Sequence, residues 1–294
     1  MFEYLGRIVG GVLRLMVFFL TAAVVMHYLA PEAMTQIRRL RSSGERLIDG
    51  DATPRRPGRT GEAKILQPGV LFRMSDPEPG NSLGTAFKVG GGTLWLTANH
   101  VVSQCDQVGL DMGPFYAATV EPGYSLPEAD VAAIHLPAHV PQSLPLARQL
   151  PEPGDAGYHM GFPRGHRAVV VSRYMGEAEA MVGTRKRSPV LVWVERQRLP
   201  AFSGTLAGIS GGPALNGRGR LIGINIAVSE RRGRILTAHP DAIAAVLAAE
   251  KALTVSRAAG QAAPPQALNP RTAPSMARAL ENAGTMRRVH CHVE

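Results

Sequence analysis

Cysteine is almost absent from this chain of 294 residues: it has two, Cys105 and Cys291. Two cysteines in that length exclude a disulfide-scaffolded mini-domain. The sequence leaves open whether they pair, and neither fixes the compartment. Aromatic residues are scarce at 5 %. Although the net charge is +9, the arginines that supply most of it are dispersed, with no basic-aromatic stacking pattern. Charge alone therefore gives little support to a nucleic-acid-binding role, and no nucleic-acid partner is expected. Acidic residues are missing altogether between Glu195 and Glu230. What the chain does have is 45 % hydrophobic and 19 % charged residues, enough apolar material for a packed core and too little polarity for global disorder.

Long hydrophobic runs occur once. From Ile8 to Ala30 the chain reads IVGGVLRLMVFFLTAAVVMHYLA, interrupted only by Arg14 and His27. At ~1.5 Å rise per residue this stretch can cross a ~30 Å hydrocarbon core. A cleaved signal peptide competes, but Tyr28-Leu29-Ala30 followed by Pro31 is a poor cleavage site. An uncleaved transmembrane anchor over residues 1–33 is the reading adopted. Arg38, Arg39, Arg41 and Arg46 follow the span and argue by the positive-inside rule for a cytoplasmic bulk. Arg7 and Arg14 can instead serve as the positive flank of a signal anchor.

Residues 34–62 are polar and Arg-rich and read as a basic linker. From residue 63 the texture changes. Short runs such as GTAF, TLWLTA, VAAIHL, VLVWVE and LIGINIAV alternate with Gly, Pro, Asp and Asn clusters. Strands at this spacing point to an all-β barrel or sandwich. Pro240-Asp241 opens an Ala/Leu-rich segment that predicts a short closing helix. After Ser256, RAAGQAAPPQALNPRTAP predicts a largely disordered tail over 257–294. His290-Cys291-His292 in that tail could bind a metal weakly, but an incidental cluster is the simpler reading, and no metal is assigned.

Gly208-Ile209-Ser210-Gly211-Gly212-Pro213 can be a glycine turn that happens to hold a serine, or it can present Ser210 as a nucleophile. A serine hydroxyl needs a base within hydrogen-bond reach, and that base needs an orienting group. His100, in Thr97-Ala98-Asn99-His100-Val101-Val102, sits where an apolar strand ends and the chain turns. Asp130 leads directly into the apolar run Val131-Ala132-Ala133-Ile134. Each alone could be structural. Gly208-x-Ser210-x-Gly212 also fits the nucleophile elbow of α/β-hydrolases, but Pro213 opposes the helix which that elbow requires.

Together, TANHVV, ADVAAI and GISGGP, in the order His, Asp, Ser, resemble the trypsin-like serine peptidases of the chymotrypsin fold, closest to the bacterial Deg/HtrA-like branch. Gly84-Thr85-Ala86-Phe87, Gly161-Phe162-Pro163 and Leu221-Ile222-Gly223-Ile224-Asn225 add to the likeness, which spans roughly residues 64–245. The chain departs from that branch in leaving no room for a PDZ domain after the protease. It also carries Ile209 where a small polar residue is usual.

The resemblance implies two six-stranded β-barrels over residues 63–256 with the site between them. It implies a membrane-anchored serine endopeptidase acting on protein or peptide substrates without a cofactor. His100 would be the base, Asp130 its orienting acid and Ser210 the nucleophile, with the backbone N–H groups of Gly208 and Ser210 as the oxyanion hole. Thr205, Ile226, Ala227 and Val228 would line the specificity pocket, which the missing acid fits to a small or apolar residue. It further implies a single-pass protein of the bacterial inner membrane with its protease domain on the periplasmic side. The alternative is a catalytically silent barrel pair used as a tethered binding module.

Overall fold

Apolar runs of four to eight residues bounded by turn formers become strands because only pairing satisfies their backbone groups once both faces are buried. Leu94–Thr97 is such a run, buried at all four positions. The computed structural model describes residues 71–74, 82–90, 92–113, 116–136, 142–182, 186–250, 261–262 and 267–294. The anchor expected over 1–33 and the linker over 34–62 lie outside the described residues. Among the described residues no helix is long and apolar enough to cross a membrane.

The first eight strands are β1 (Leu71–Met74), β2 (Ser82–Lys88), β3 (Leu94–Thr97), β4 (Gln107–Gly113), β5 (Tyr116–Thr119), β6 (Glu121–Leu126), β7 (Val131–His135) and β8 (Gln142–Ser143). The others are β9 (Ala156–Gly161), β10 (Ala168–Val182), β11 (Arg187–Leu199), β12 (Pro213–Leu215), β13 (Leu221–Ser229), β14 (Arg234–Ala238), β15 (Gln261–Ala262) and β16 (Met286–His292). In the second half of the chain β9, β10, β11, β14, β13 and β12 pair in that order, and β12 pairs back to β9, closing a barrel. Strand β1 joins it in parallel, alongside the far end of β10.

The other barrel closes less obviously. Strands β5 and β6 are separated only by Val120, whose N–H still donates to the Val108 carbonyl at 3.0 Å. They act as one bent strand, pairing with β4 in its first half and β7 in its second. The circuit then runs β7, β3, β2, β16 and back to β4. Both sheets thus curl onto themselves around apolar cores, which removes most unpaired edges. Phe87, Trp95, Leu96, Leu110 and Ile134 fill the first core. Val170, Leu191, Trp193, Leu206, Ile209 and Ile235 form a separate cluster in the second.

One strand of the first barrel comes from the region expected to be disordered. Strand β16 lies between β2 and β4, antiparallel to both. A helix, Ala273–Asn282, precedes it and buries Ala273, Met276, Ala277 and Leu280. Cys291 on β16 is joined to Cys105 by a disulfide. The expectation of a largely disordered 257–294 is therefore corrected for residues 267–294. The barrel fold extends past residue 256, because β2 and β4 are paired through this late segment rather than with each other. The closing helix occurs where Pro240-Asp241 predicts it, as Pro240–Ala249, with the His239 ring accepting from the Asp241 N–H.

Candidate active site

His100 lies in a one-turn helix, Asn99–Val102, that opens as soon as β3 ends. Asp130 follows a 3-10 turn, Pro127–Ala129, and adopts a left-handed backbone with φ 55° and ψ 44°. Aspartate tolerates that region better than bulky residues do. The turn aims its carboxylate at the helix that bears His100. Asp130 Oδ2 lies 2.6 Å from His100 Nδ1, and Oδ1 accepts the His100 backbone N–H at 2.8 Å. The Asn99 N–H closes the arrangement on the Asp130 carbonyl at 3.1 Å.

An acceptor-only carboxylate against Nδ1 selects the tautomer with its proton there, leaving Nε2 free to accept. The Asp130 side chain is buried, whereas that of His100 is 30 % exposed. Burial by itself would lower the His100 pKa. The charge of Asp130 and the hydrogen bond to it outweigh that and raise it above the ordinary imidazole value.

Ser210 sits in the turn between Phe202 and β12, partly exposed, between buried Ile209 and buried Gly211. Ile209 is 1 % exposed and belongs to the second core cluster. An apolar anchor therefore holds the turn, and burying such a side chain is worth roughly 1.5–3 kcal/mol. Two glycines are sterically required. Gly208, at φ 98°, would drive a Cβ into the Phe162 carbonyl, and Gly211, at φ 81°, would collide with the Thr85 carbonyl and the Thr97 hydroxyl.

Those collisions also show how close the turn lies to the His100 segment. A Cβ on Gly211 would stand 2.9 Å from the Ala98 nitrogen, two residues before His100. Thr85 on β2 fastens the two halves. Its N–H donates to the Ser210 carbonyl at 2.8 Å and its hydroxyl to the Gly208 carbonyl at 2.7 Å. Its own carbonyl accepts from the Thr97 hydroxyl at 2.8 Å. The structure thus brings His100 and Asp130 into direct contact and docks the Ser210 turn beside them. Among the described residues the Ser210 hydroxyl makes no hydrogen bond.

The N–H groups of Gly208 and Ser210 have no acceptor among the described residues. Because a peptide is planar with its C=O and N–H opposed, the partner of each preceding carbonyl decides where each N–H points. The Ala207 carbonyl accepts from the Arg164 N–H at 2.8 Å, and the Ile209 carbonyl from the Gly212 N–H at 3.0 Å. Both N–H groups are turned away from those bonds and left unpaired.

Of the expected pocket residues, Thr205 is half-buried and its hydroxyl accepts the Ala207 N–H at 3.0 Å. Ile226 occupies a bulge of β13 between Asn225 and Ala227; it is buried, and Ala227 and Val228 are half-buried. Glu230 reaches back to accept the Leu206 N–H at 3.1 Å, so this acid helps shape the 203–207 loop. A cavity of about 530 Å³ beside the first barrel is lined by Asn99, Val102, Cys105, Val120 and Ile134 among others, and excludes His100, Asp130 and Ser210. Among the described residues no group of three or more His, Cys, Asp or Glu is placed to hold a metal.

Sequence reasoning passed over three contributors. Arg164 and His159 carry no local signal. Asn225 was visible only as part of the stretch LIGIN, yet it donates to the carbonyls of Met160 on β9 and of Ile209 in the turn.

Residues 84–224 match the family model of the trypsin-like peptidase domain. No curated protein matches the chain. Among solved structures, the active form of the Rv3671c protease from M. tuberculosis is 17 % identical at a TM-score of 0.47, covering 69 % of this chain and 98 % of that one. The HtrA-type protease AlgW with a tripeptide is 21 % identical at 0.46, covering 58 % and 56 %. The MamO protease domain from Magnetospirillum magneticum is 20 % identical at 0.43, covering 55 % and 93 %.

Proposed function

We propose that this chain, whose residues 84–224 match the trypsin-like peptidase domain, is a serine endopeptidase with His100, Asp130 and Ser210 as its catalytic triad. The observation that carries this reading is the two-point contact of Asp130 with the His100 ring and backbone. His100 Nε2 takes the Ser210 proton as Oγ attacks the peptide carbonyl carbon. The developing oxyanion is held by the Gly208 and Ser210 N–H groups, each such donor being worth ~10²–10³ in rate. The C–N bond then breaks and His100 returns the proton to the leaving amine, leaving an acyl-enzyme. A water, deprotonated by the same ring, releases the acid.

Thr205, Ile226, Ala227 and Val228 line the pocket for the residue before the cleaved bond. With Glu195 paired to Arg198 and Glu230 held on the Leu206 N–H, that pocket takes a small or apolar side chain. A peptide-library profile dominated by cleavage after Lys or Arg would refute this preference.

The chain is anchored in the bacterial inner membrane by residues 1–33, with the protease domain on the periplasmic side. The Cys105–Cys291 disulfide supports that side, because disulfides persist in oxidising compartments and are rare in the cytosol. Protease accessibility in spheroplasts tests it: degradation only after lysis would place the domain in the cytoplasm.

The triad is tested by labelling the full-length chain with a fluorophosphonate beside a Ser210→Ala variant. Labelling of the parent alone is the expected result. A folded parent that does not label would replace the enzyme reading with that of a silent binding module.

A further inference from the structure

Beneath the Ser210 turn lies a buried polar chain with no part in proton transfer. Asn225 and His159 are 1 % and 0 % exposed, and Ser172 beside them is 0 % exposed. Asn225 Oδ1 lies 2.7 Å from His159 Nδ1, and His159 Nε2 lies 2.7 Å from the Ser172 hydroxyl. On its other side the Asn225 amide reaches the carbonyls of Met160 and Ile209, both at 3.4 Å. Asn225 is also clamped through its backbone, donating to the Gly212 carbonyl at 2.9 Å and accepting the Gly211 N–H at 2.8 Å.

The orientation of each group follows from its partners. Two carbonyl oxygens face one end of the amide, so that end is the NH₂ donor and the other end is the acceptor. His159 must then donate from Nδ1, which leaves Nε2 to accept the Ser172 O–H. The Ser172 hydroxyl has one proton and two acceptors in reach, Nε2 at 2.7 Å and the Gly157 carbonyl at 3.3 Å. Giving it to the nearer Nε2 satisfies both ring nitrogens with the imidazole neutral, the state in which burial holds it, its pKa being pushed down to about 4. The Trp193 ring packs against the site in an edge arrangement, its centre 5.3 Å from the His159 ring centre. A buried network of paired polar groups fixes geometry well.

The Ile209 carbonyl is the one that matters. It belongs to the same peptide as the Ser210 N–H, so whatever holds the carbonyl aims that N–H. The Gly212 N–H holds it from the turn itself, and the Asn225 amide is the side chain that does so. We propose that Asn225, oriented by His159, is a positioning residue that aims the Ser210 N–H into the oxyanion hole. This rests on the reading of Ser210 as the nucleophile.

The test uses the full-length chain with four substitutions, following fluorophosphonate labelling rates, casein hydrolysis and thermal unfolding. Asn225→Asp keeps the shape and the acceptor for His159 but loses the NH₂ donor. A drop of roughly tenfold or more in kcat and labelling rate is expected, with KM nearly unchanged, the signature of an interaction made in the transition state. His159→Leu removes the orienting donor and should fall similarly. His159→Asn retains a donor near the Nδ1 position and should recover most of the rate. Folded Asn225→Asp that labels at the parent rate, or one that loses KM alone, would overturn the proposal. If Asn225→Asp does not fold, equal rates for the two His159 variants would overturn it. The fourth, Ser210→Ala, separates the readings: a parent that labels no faster than this variant removes the nucleophile, and the positioning role falls with it.

Discussion

The Thr85 hydroxyl donates to the Gly208 carbonyl at 2.7 Å across 123 residues of chain. It also accepts the Phe162 N–H at 3.2 Å. One fully buried side chain from the first barrel therefore joins two loops of the second, the Gly161-Phe162-Pro163 turn and the turn bearing Ser210. Thr85→Val keeps the volume and the backbone bonds but strands a buried carbonyl and a buried N–H. It should cost about 1–3 kcal/mol of stability and slow turnover, whereas Thr85→Ser should keep both. Urea unfolding beside casein hydrolysis checks this; a Val variant as stable and as active as the parent would refute it.

Asp130 holds His100 by two bonds, so Asp130→Asn should leave the fold intact. Its NH₂ can no longer accept from Nδ1–H, and the tautomer is lost. A fall of ~10⁴ in kcat is expected, the effect of the matching substitution in the worked serine-protease case. A loss under tenfold would mean that Asp130 does not orient the base.

On the proposed triad the same pair sets the acid limb of activity. Catalysis would then need His100 neutral, and burial, which lowers its pKa, is outweighed by Asp130, which raises it. The limb of kcat/KM should therefore lie above the ordinary imidazole value of about 6.5, with activity growing as pH rises through it. A profile already flat below that value would contradict the assignment.

His159 acts on stability with the opposite sign. Its pKa is lowered in the folded protein to about 4 because burial disfavours the charged ring. The unfolded chain therefore binds the extra proton first as pH falls. Its contribution is full above about pH 6.5, shrinks progressively below that, and levels off near its folded pKa, a loss on the order of 3 kcal/mol. Denaturant midpoints measured across that window should fall less in His159→Asn than in the parent. Parallel curves would exclude His159 as the source.

The Cys105–Cys291 bridge spans a sequence separation of 186 and ties β16 to the segment just after the His100 helix. Its reduction should lower stability by about 2–5 kcal/mol, the usual range for such bridges. A chain ending before residue 286 leaves β2 and β4 without their shared neighbour and should not form the first barrel. Circular dichroism and fluorophosphonate labelling of that truncation give the answer; native-like labelling would show the strand to be dispensable.

The segments that bring His100 and Asp130 together and set the Ser210 turn beside them were legible because each is a short local pattern: a strand end, a strand start and a glycine turn. The second barrel was legible in outline, since its apolar runs stand close together in sequence. Strand β16 was not. Met286–His292 carries two arginines and two histidines, follows a Pro/Ala-rich stretch, and owes its strand state to partners some two hundred residues earlier. Its register against β2 and β4 is tertiary information that local propensity lacks. His159 was hidden for a related reason. Hydropathy reads it as polar, and only the folded arrangement of Asn225, Ser172 and Trp193 makes the interior hospitable to it.

The late position of β16 has a temporal consequence. During synthesis His100 and Asp130 leave the ribosome well before Met286–His292, so the barrel that carries them stays open until those residues have emerged and been captured between β2 and β4. Ser210 and its barrel can fold earlier without a completed base to serve them. On the proposed triad, a nascent chain ordered in this way would lack a completed base until Met286–His292 is in place.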